Sequence, residues 1–325
     1  MVHWGSADAG IFAAFRGNER ISAMNSAVNN EETDPVLADL CRNPFRIALP
    51  GEQTAPFVFA SPHSGRLYPA DFVAGSWLTP LALRRSEDAF VDELFESVVE
   101  HGAPIISARF PRAFVDVNRA ASELDNTMFD AALASDVGAP SARVVAGLGV
   151  IPKIVRDGVE IYRRKLSPAE AEQRLARLHR PYHAALAGLV EETHARFGAA
   201  IVVDCHSMPA TASAPDIVFG DRYGASAAPA LMRHAELAFE ACGFSATRNT
   251  PYAGGYTTHL YARRERGIHA LQIEVNRTLY LDEERVEPLA RFAQTRTRLG
   301  EALRRLIDVD LDTLLRTPRP SLAAE

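Results

Sequence analysis

From Arg46 onward, short apolar runs alternate with longer stretches whose apolar residues recur at three-and-four spacing. A chain built this way has to bury its apolar runs as strands and cover them with helices, so the rhythm predicts a sheet with helices on both faces. Residues 56–60, 104–108, 199–203 and 268–275 are the expected strands, with a further extended segment over 113–118 and another near Phe244. Thr79-Pro80 is a helix start, Thr as N-cap and Pro at the first helical position, and the pattern carries one helix on to His101-Gly102. Ser167-Pro168-Ala169-Glu170 opens a long helix by capping-box logic. Two more helices are expected over 227–241 and 284–307, and the mixed stretch 121–160 has the character of a segment that covers a site. Residues 1–40 form a weakly ordered extension in this reading, with Met24 as an alternative start. A single catalytic domain spans 41–316, and 317–325 is a loose tail.

Composition narrows the class. The 325 residues are 47% apolar and 23% charged, a globular balance with net charge −6. Lys and Arg are scattered, which argues against a nucleic-acid surface. No apolar run is long enough for a membrane span. Cys41, Cys205 and Cys242 lie far apart with no C-x-x-C pair, so neither a disulfide framework nor a thiolate zinc site is indicated, and a reducing cytoplasm fits. A G-x-S-x-G elbow is absent.

Two apolar runs leave the predicted sheet in the same way, at His63-Ser64 and His206-Ser207. Ligands of open α/β sheets sit at strand carboxyl ends. Two such histidines with one acid can hold zinc and leave a position for water. The alternative is a pair of hydrogen-bonded loop histidines. Glu87 and Asp88 are candidate third ligands, although acids in a first helical turn are also favoured by the helix dipole. Glu274 closes a buried strand, where a carboxylate is costly unless paired, so it is either an ion-pair partner or a general base. Arg119 and Arg112 suit bidentate recognition of a carboxylate, or could pair with Asp116. Cys205, adjacent to His206 on an extended chain, points to the opposite face.

Several blocks then occur in order. They include Ser61-Pro62-His63-Ser64-Gly65, Ser86-Glu87-Asp88 with Phe90-Val91-Asp92-Glu93-Leu94-Phe95, residues 112–119, and Val203-Asp204-Cys205-His206-Ser207-Met208-Pro209. Gly220-Asp221-Arg222-Tyr223-Gly224, Gly254-Gly255-Tyr256 and residues 266–274 continue the series. Together they resemble the N-formylglutamate amidohydrolase family. The resemblance implies a zinc-carboxypeptidase-like α/β fold with a mixed, mainly parallel sheet. It implies hydrolysis of an N-acyl amino acid, in the type case N-formyl-L-glutamate to formate and glutamate, by a cytoplasmic enzyme of amino-acid catabolism. Carried over, His63 and His206 with Asp88 or Glu87 hold one zinc or another divalent ion. Glu274 is the base, and Arg119, with Arg112 second, meets the substrate carboxylate. A zinc hydrolase for another N-acyl amino acid or short peptide, and a non-catalytic metal-dependent binding protein, are the alternatives.

Overall fold

The computed structural model describes residues 34–133, 140–155, 158–209, 211 and 214–309. Its centre is a seven-stranded sheet of β1 (Phe45–Ala48), β2 (Phe57–Ser61), β3 (Ile105–Ala108), β4 (Ala200–Met208), β5 (Ile217–Gly220), β6 (Ala246–Arg248) and β7 (Ile268–Asn276). The spatial order is β1-β3-β2-β4-β7-β5-β6. Pairings β3-β2, β2-β4, β4-β7 and β5-β6 are parallel, whereas β1-β3 and β7-β5 are antiparallel. The expected mixed, mainly parallel sheet is what forms.

The helices are α1 (Pro35–Arg42), α2 (Ala70–Ala74), α3 (Pro80–Arg84), α4 (Val91–Phe95), α5 (Ala142–Val145), α6 (Pro168–Arg174), α7 (Arg180–Phe197), α8 (Pro229–Glu240), α9 (Tyr256–Tyr261) and α10 (Phe292–Ile307). They cover both faces because the central strands have no solvent side. β4 and β7 are each nine residues long and buried throughout. Ile201, Val203, Cys205, Leu271, Ile273 and Val275 pack on one side with α4, α8 and α10. Ala200, Val202, Ile268 and Ala270 face the other, against Leu178 and the Tyr182 and Leu186 of α7. On this second face the apolar series turns polar at the carboxyl ends, where Asp204 pairs in register with Gln272 and His206 with Glu274. That change of character places a site.

Four expectations are corrected. The helix expected from Thr79 to His101 is broken between α3 and α4, with Phe90 in the left-handed region at φ 63°. Apolar residues keep their spacing on either side, but Asp88 leaves the helix and its amide donates to the His63 carbonyl at 3.0 Å. Residues 113–118 are not a strand. Phe114, Val115 and Val117 are buried in an irregular loop whose Asp116 amide donates to the Val150 carbonyl at 2.8 Å. Their apolarity reports burial, not a ladder. The last helix begins at Phe292, because Pro288 cannot sit inside a helix and Glu287-Pro288 instead pairs with Leu281-Asp282. Finally, residues 35–40, expected in the N-terminal extension, belong to α1. Its N-cap Asp34 accepts from the Val36 and Leu37 amides at 2.8 and 3.2 Å. Residues 1–33 of that extension and the expected tail lie outside the described residues. Among these residues no helix is long and apolar enough to cross a membrane.

The long helix from Ser167 forms as expected but contains a π-helical turn over Leu175–His179, just ahead of Pro181. Proline has no N–H to give its preceding turn, and the wider turn accommodates that loss. At its start Ser167 Oγ accepts from the Glu170 amide and Glu170 accepts from the Ser167 amide. The Arg164 guanidinium also binds Glu170 at 2.7 and 2.9 Å, and this hydrogen bonding lowers the Glu170 carboxyl to about 2. A carboxylate with a lowered folded pKa stabilises above its unfolded value and loses that contribution as pH falls through the folded one. Glu170→Ala should therefore cost about 1 kcal/mol at pH 7. In urea titrations the gap from wild type should narrow between about pH 4 and pH 2. A gap that stays constant to the lower limit would remove the carboxylate from the account.

Candidate metal centre and active-site cleft

His63 stands two residues beyond the end of β2, and His206 lies near the end of β4, the next strand in the sheet. Asp88 comes from the break between α3 and α4. One donor atom from each of these three side chains can be chosen so that all lie within 4.8 Å of one another. His206 Nδ1 is 2.9 Å and His63 Nδ1 3.3 Å from the same oxygen, Asp88 Oδ2. All three residues are no more than 3% exposed.

The far side of each imidazole decides what its near side can do. His63 Nε2 lies 2.7 Å from Asp116 Oδ1, and His206 Nε2 lies 2.9 Å from Asp204 Oδ2. A carboxylate at Nε2 holds the proton there, which leaves a lone pair on Nδ1. Both lone pairs then converge on Asp88 Oδ2. Two imidazole nitrogens and one carboxylate oxygen, each imidazole backed by an acid, suit a divalent ion such as zinc. The residues present fit the group.

The backing acids are themselves held. Asp116 accepts from Arg112 Nε at 3.1 Å and from the Asn118 amide at 2.8 Å. Asn118 Nδ2 donates to Asp204 Oδ2 at 3.0 Å, while its Oδ1 accepts from the Thr257 amide at 2.8 Å. Gly255 is required beside it, because a Cβ there would lie 2.5 Å from the Asn118 amide nitrogen. On the other side of Asp88, Oδ1 accepts from Arg277 Nη2 at 3.0 Å. Burial would raise the carboxyls of Asp88 and Asp116, yet the facing histidines, with Arg112 and Arg119 at Asp116, hold both well below the ordinary range. Burial also works against a charged His206, but Asp204, Asp88 and Glu274 lift its pKa well above the usual histidine value. A proton and a cation therefore compete for its Nδ1.

His63, Asp88, Asp116, Asn118, His206 and Arg277 line a cleft of about 440 Å³. Glu274, beside His206 in register, lines it and accepts from Gln272 Nε2 at 2.8 Å. Burial pushes the Glu274 carboxyl up to about 7, with Asp88 acting in the same direction against the pull of His206, Arg112 and Arg277. Arg119 and Arg112 line the same cleft. Arg119 is fixed by bonds from Nε to the Leu148 carbonyl and from Nη1 to the Asn118 carbonyl, and no carboxylate pairs with it among the described residues. The mixed segment contributes Arg143, Leu148 and Ile154 to the wall, the covering role expected of it.

The structure brings together His63, Asp88, His206, Glu274, Arg112 and Arg119. Glu87 is not among them. It turns away to accept from Tyr68 Oη at 2.8 Å and from Arg84 at 3.1 and 3.2 Å, and only its backbone carbonyl meets Arg277. Arg277, three residues beyond Glu274, bonds Asp88, Glu283 and Ser207. Asp116, Asp204 and Asn118 were missed as orienting groups. Asp204 carried a signal, standing two residues before His206 on a strand and hence on the same face. Cys205 lies in the core on the opposite face, where burial pushes its thiol up.

The family model described as N-formylglutamate amidohydrolase matches residues 55–281. An N-formylglutamate deformylase of Pseudomonas aeruginosa is 30% identical over 270 residues, covering 80% of this chain and 92% of that protein. One from Pseudomonas putida is 26% identical, covering 70% of this chain and 82% of its own length. The crystal structure of N-formylglutamate amidohydrolase from Ralstonia eutropha JMP134 superposes with a TM-score of 0.77 at 36% identity, over 81% of this chain and 97% of that one. With the matched segment running from the start of β2 through the end of β7 and so carrying every residue of the centre, the chain belongs to the N-formylglutamate amidohydrolase family.

Proposed function

We propose that the protein is a zinc-dependent amidohydrolase that cleaves N-formyl-L-glutamate, or a closely related N-acyl amino acid, to formate and the free amino acid. The observation that carries the reading is the pair of histidines with their Nε2 atoms held by Asp116 and Asp204, so that both Nδ1 atoms face Asp88. His63, Asp88 and His206 would hold the ion. When bound, such an ion would lower the pKa of water to about 7 and would stabilise negative charge on a carbonyl oxygen.

The chain's own groups do the rest. Glu274 takes a proton from the water oxygen as it attacks the formyl carbon, and returns it to the amine nitrogen as the C–N bond breaks. Its raised pKa of about 7 suits a group that must both accept and release a proton near neutrality. Arg119, free of any carboxylate partner among the described residues, binds a substrate carboxylate, with Arg112 beside it. The buried, preordered walls restrict where the amide can lie. The same reading places the enzyme in the cytoplasm, which suits the three free cysteines.

The test is formate release from N-formyl-L-glutamate by the purified chain, before and after chelation and after zinc is restored. Release abolished by the chelator and recovered with zinc is the expected result. Release that ignores the chelator removes the metal, and release only from acetyl or succinyl amino acids moves the substrate within the class. The orienting acids give a second measurement. Asp116→Ala should weaken metal binding by about 10–100-fold, read by competition with a chromogenic chelator. Unchanged affinity would take Asp116 out of that role.

A further inference from the structure

A second pocket, of about 210 Å³, shares no lining residue with the cleft. It lies among α1, α2, the α6–π-turn segment and the side chains of Phe114 and Tyr162. Arg174, only 8% exposed, lines it. Nη1 of this arginine donates to Tyr162 Oη at 2.8 Å and to the Phe114 carbonyl at 3.4 Å. The guanidinium carbon sits 4.0 Å from the centre of the Phe114 ring, with the Tyr162 and Phe72 rings at 5.5 and 6.0 Å. Nε and Nη2 have no protein acceptor, and no carboxylate pairs with Arg174 among the described residues.

Neither nitrogen is among the fully buried atoms left without a partner, so this edge of the guanidinium stays accessible, and without an acid beside it such an edge can take an anion. The pocket's other charges do not provide one. Glu170 is committed to Arg164 and to the Ser167 amide. Asp71 and Arg177 are exposed at the rim. What remains is one buried positive charge offering its Nε–Nη2 edge, the geometry that takes both oxygens of a carboxylate. Leu37, Phe72 and Leu178 supply apolar wall beside it.

We propose that this pocket is a second binding site, separate from the cleft, for a small organic carboxylate with a short apolar body, its two oxygens held by Nε and Nη2 of Arg174. The site stands apart from the reaction proposed above, and its test requires no turnover.

Cys41 lines the same pocket and is half-buried, whereas the half-buried Cys242 is not among its lining residues, so the two thiols serve as reporter and control. The full-length protein is alkylated with iodoacetamide, the sulfur displacing iodide, and the labelled peptides are quantified by mass spectrometry with butyrate as the probe. Butyrate should slow labelling of Cys41 saturably, by about tenfold when its concentration is ten times Kd, and leave Cys242 unchanged. Iodoacetate, itself a carboxylate, should favour Cys41 over Cys242 more than iodoacetamide does. In Arg174→Met both effects should vanish. If that variant does not fold, the two wild-type arms decide. Equal protection by sodium chloride at the same ionic strength, no protection together with no iodoacetate preference, or protection that survives in folded Arg174→Met would each overturn the site.

Discussion

Replacing His206 by Ala should leave a chain that no longer retains zinc and releases formate no faster than the uncatalysed reaction. In the proposed centre the variant removes one of three ligands, and the loss is larger than a missing ligand because of what surrounds the ring. His206 is the hydrogen-bonding partner of both Asp204 and Asp88, each almost wholly buried. Without it two carboxylates face each other across a desolvated gap, a situation that costs about 3–5 kcal/mol when a buried partner is deleted. Metal affinity should fall by more than the 10–100-fold expected for loss of an orienting acid alone. Chelator competition reads the affinity, and a urea titration of the metal-free protein reads the folding cost separately. His63→Ala should lose metal too, with a smaller folding cost because Asp116 keeps Arg112. Stoichiometric zinc of unchanged affinity in folded His206→Ala would place the centre elsewhere.

What made this centre legible was strand termination. β2 is apolar through Ala60 with His63 just beyond its end, β4 is apolar through Val203 with His206 near its end, and β7 is mostly apolar until Glu274, so the sheet and three site residues follow from one pattern. The third candidate ligand is ambiguous in the sequence because Glu87 and Asp88 are adjacent on the chain. Their directions are set by a helix break that the spacing of Val91, Leu94, Phe95 and Val98 conceals. The break is tertiary in origin: Asp88 is drawn to the His63 carbonyl and to Arg277, 189 residues away in sequence. Asp116 was illegible for a related reason. It meets His63 from an irregular loop 53 residues on, where no period relates one residue to the next. Local pattern finds what a strand or helix repeats, and it misses groups that a loop delivers once.

Glu274→Gln should lower kcat by about 10²–10⁴-fold while zinc stays bound and KM changes little. The substitution keeps the size of the side chain and an oxygen for the Gln272 amide to meet, but it removes the group that accepts a proton. Each factor of ten corresponds to about 1.4 kcal/mol of barrier, so the base accounts for roughly 3–5 kcal/mol of transition-state stabilisation. Stability should move the other way. In the metal-free protein burial raises the Glu274 carboxyl to about 7, above its value of about 4.3 in an unfolded chain. A carboxyl with a raised folded pKa destabilises increasingly as pH climbs from the unfolded value to the folded one. Metal-free Glu274→Gln should therefore match wild type near pH 4 and be more stable at pH 8, with the gap opening between them. The two measurements test one cause, since the environment that poises Glu274 for proton transfer also makes its charge expensive to bury. Lost turnover with retained zinc and a widening stability gap is the signature of a base held at a folding cost. Retained turnover would assign the proton to another group, and lost turnover with lost zinc would make Glu274 part of the metal centre instead.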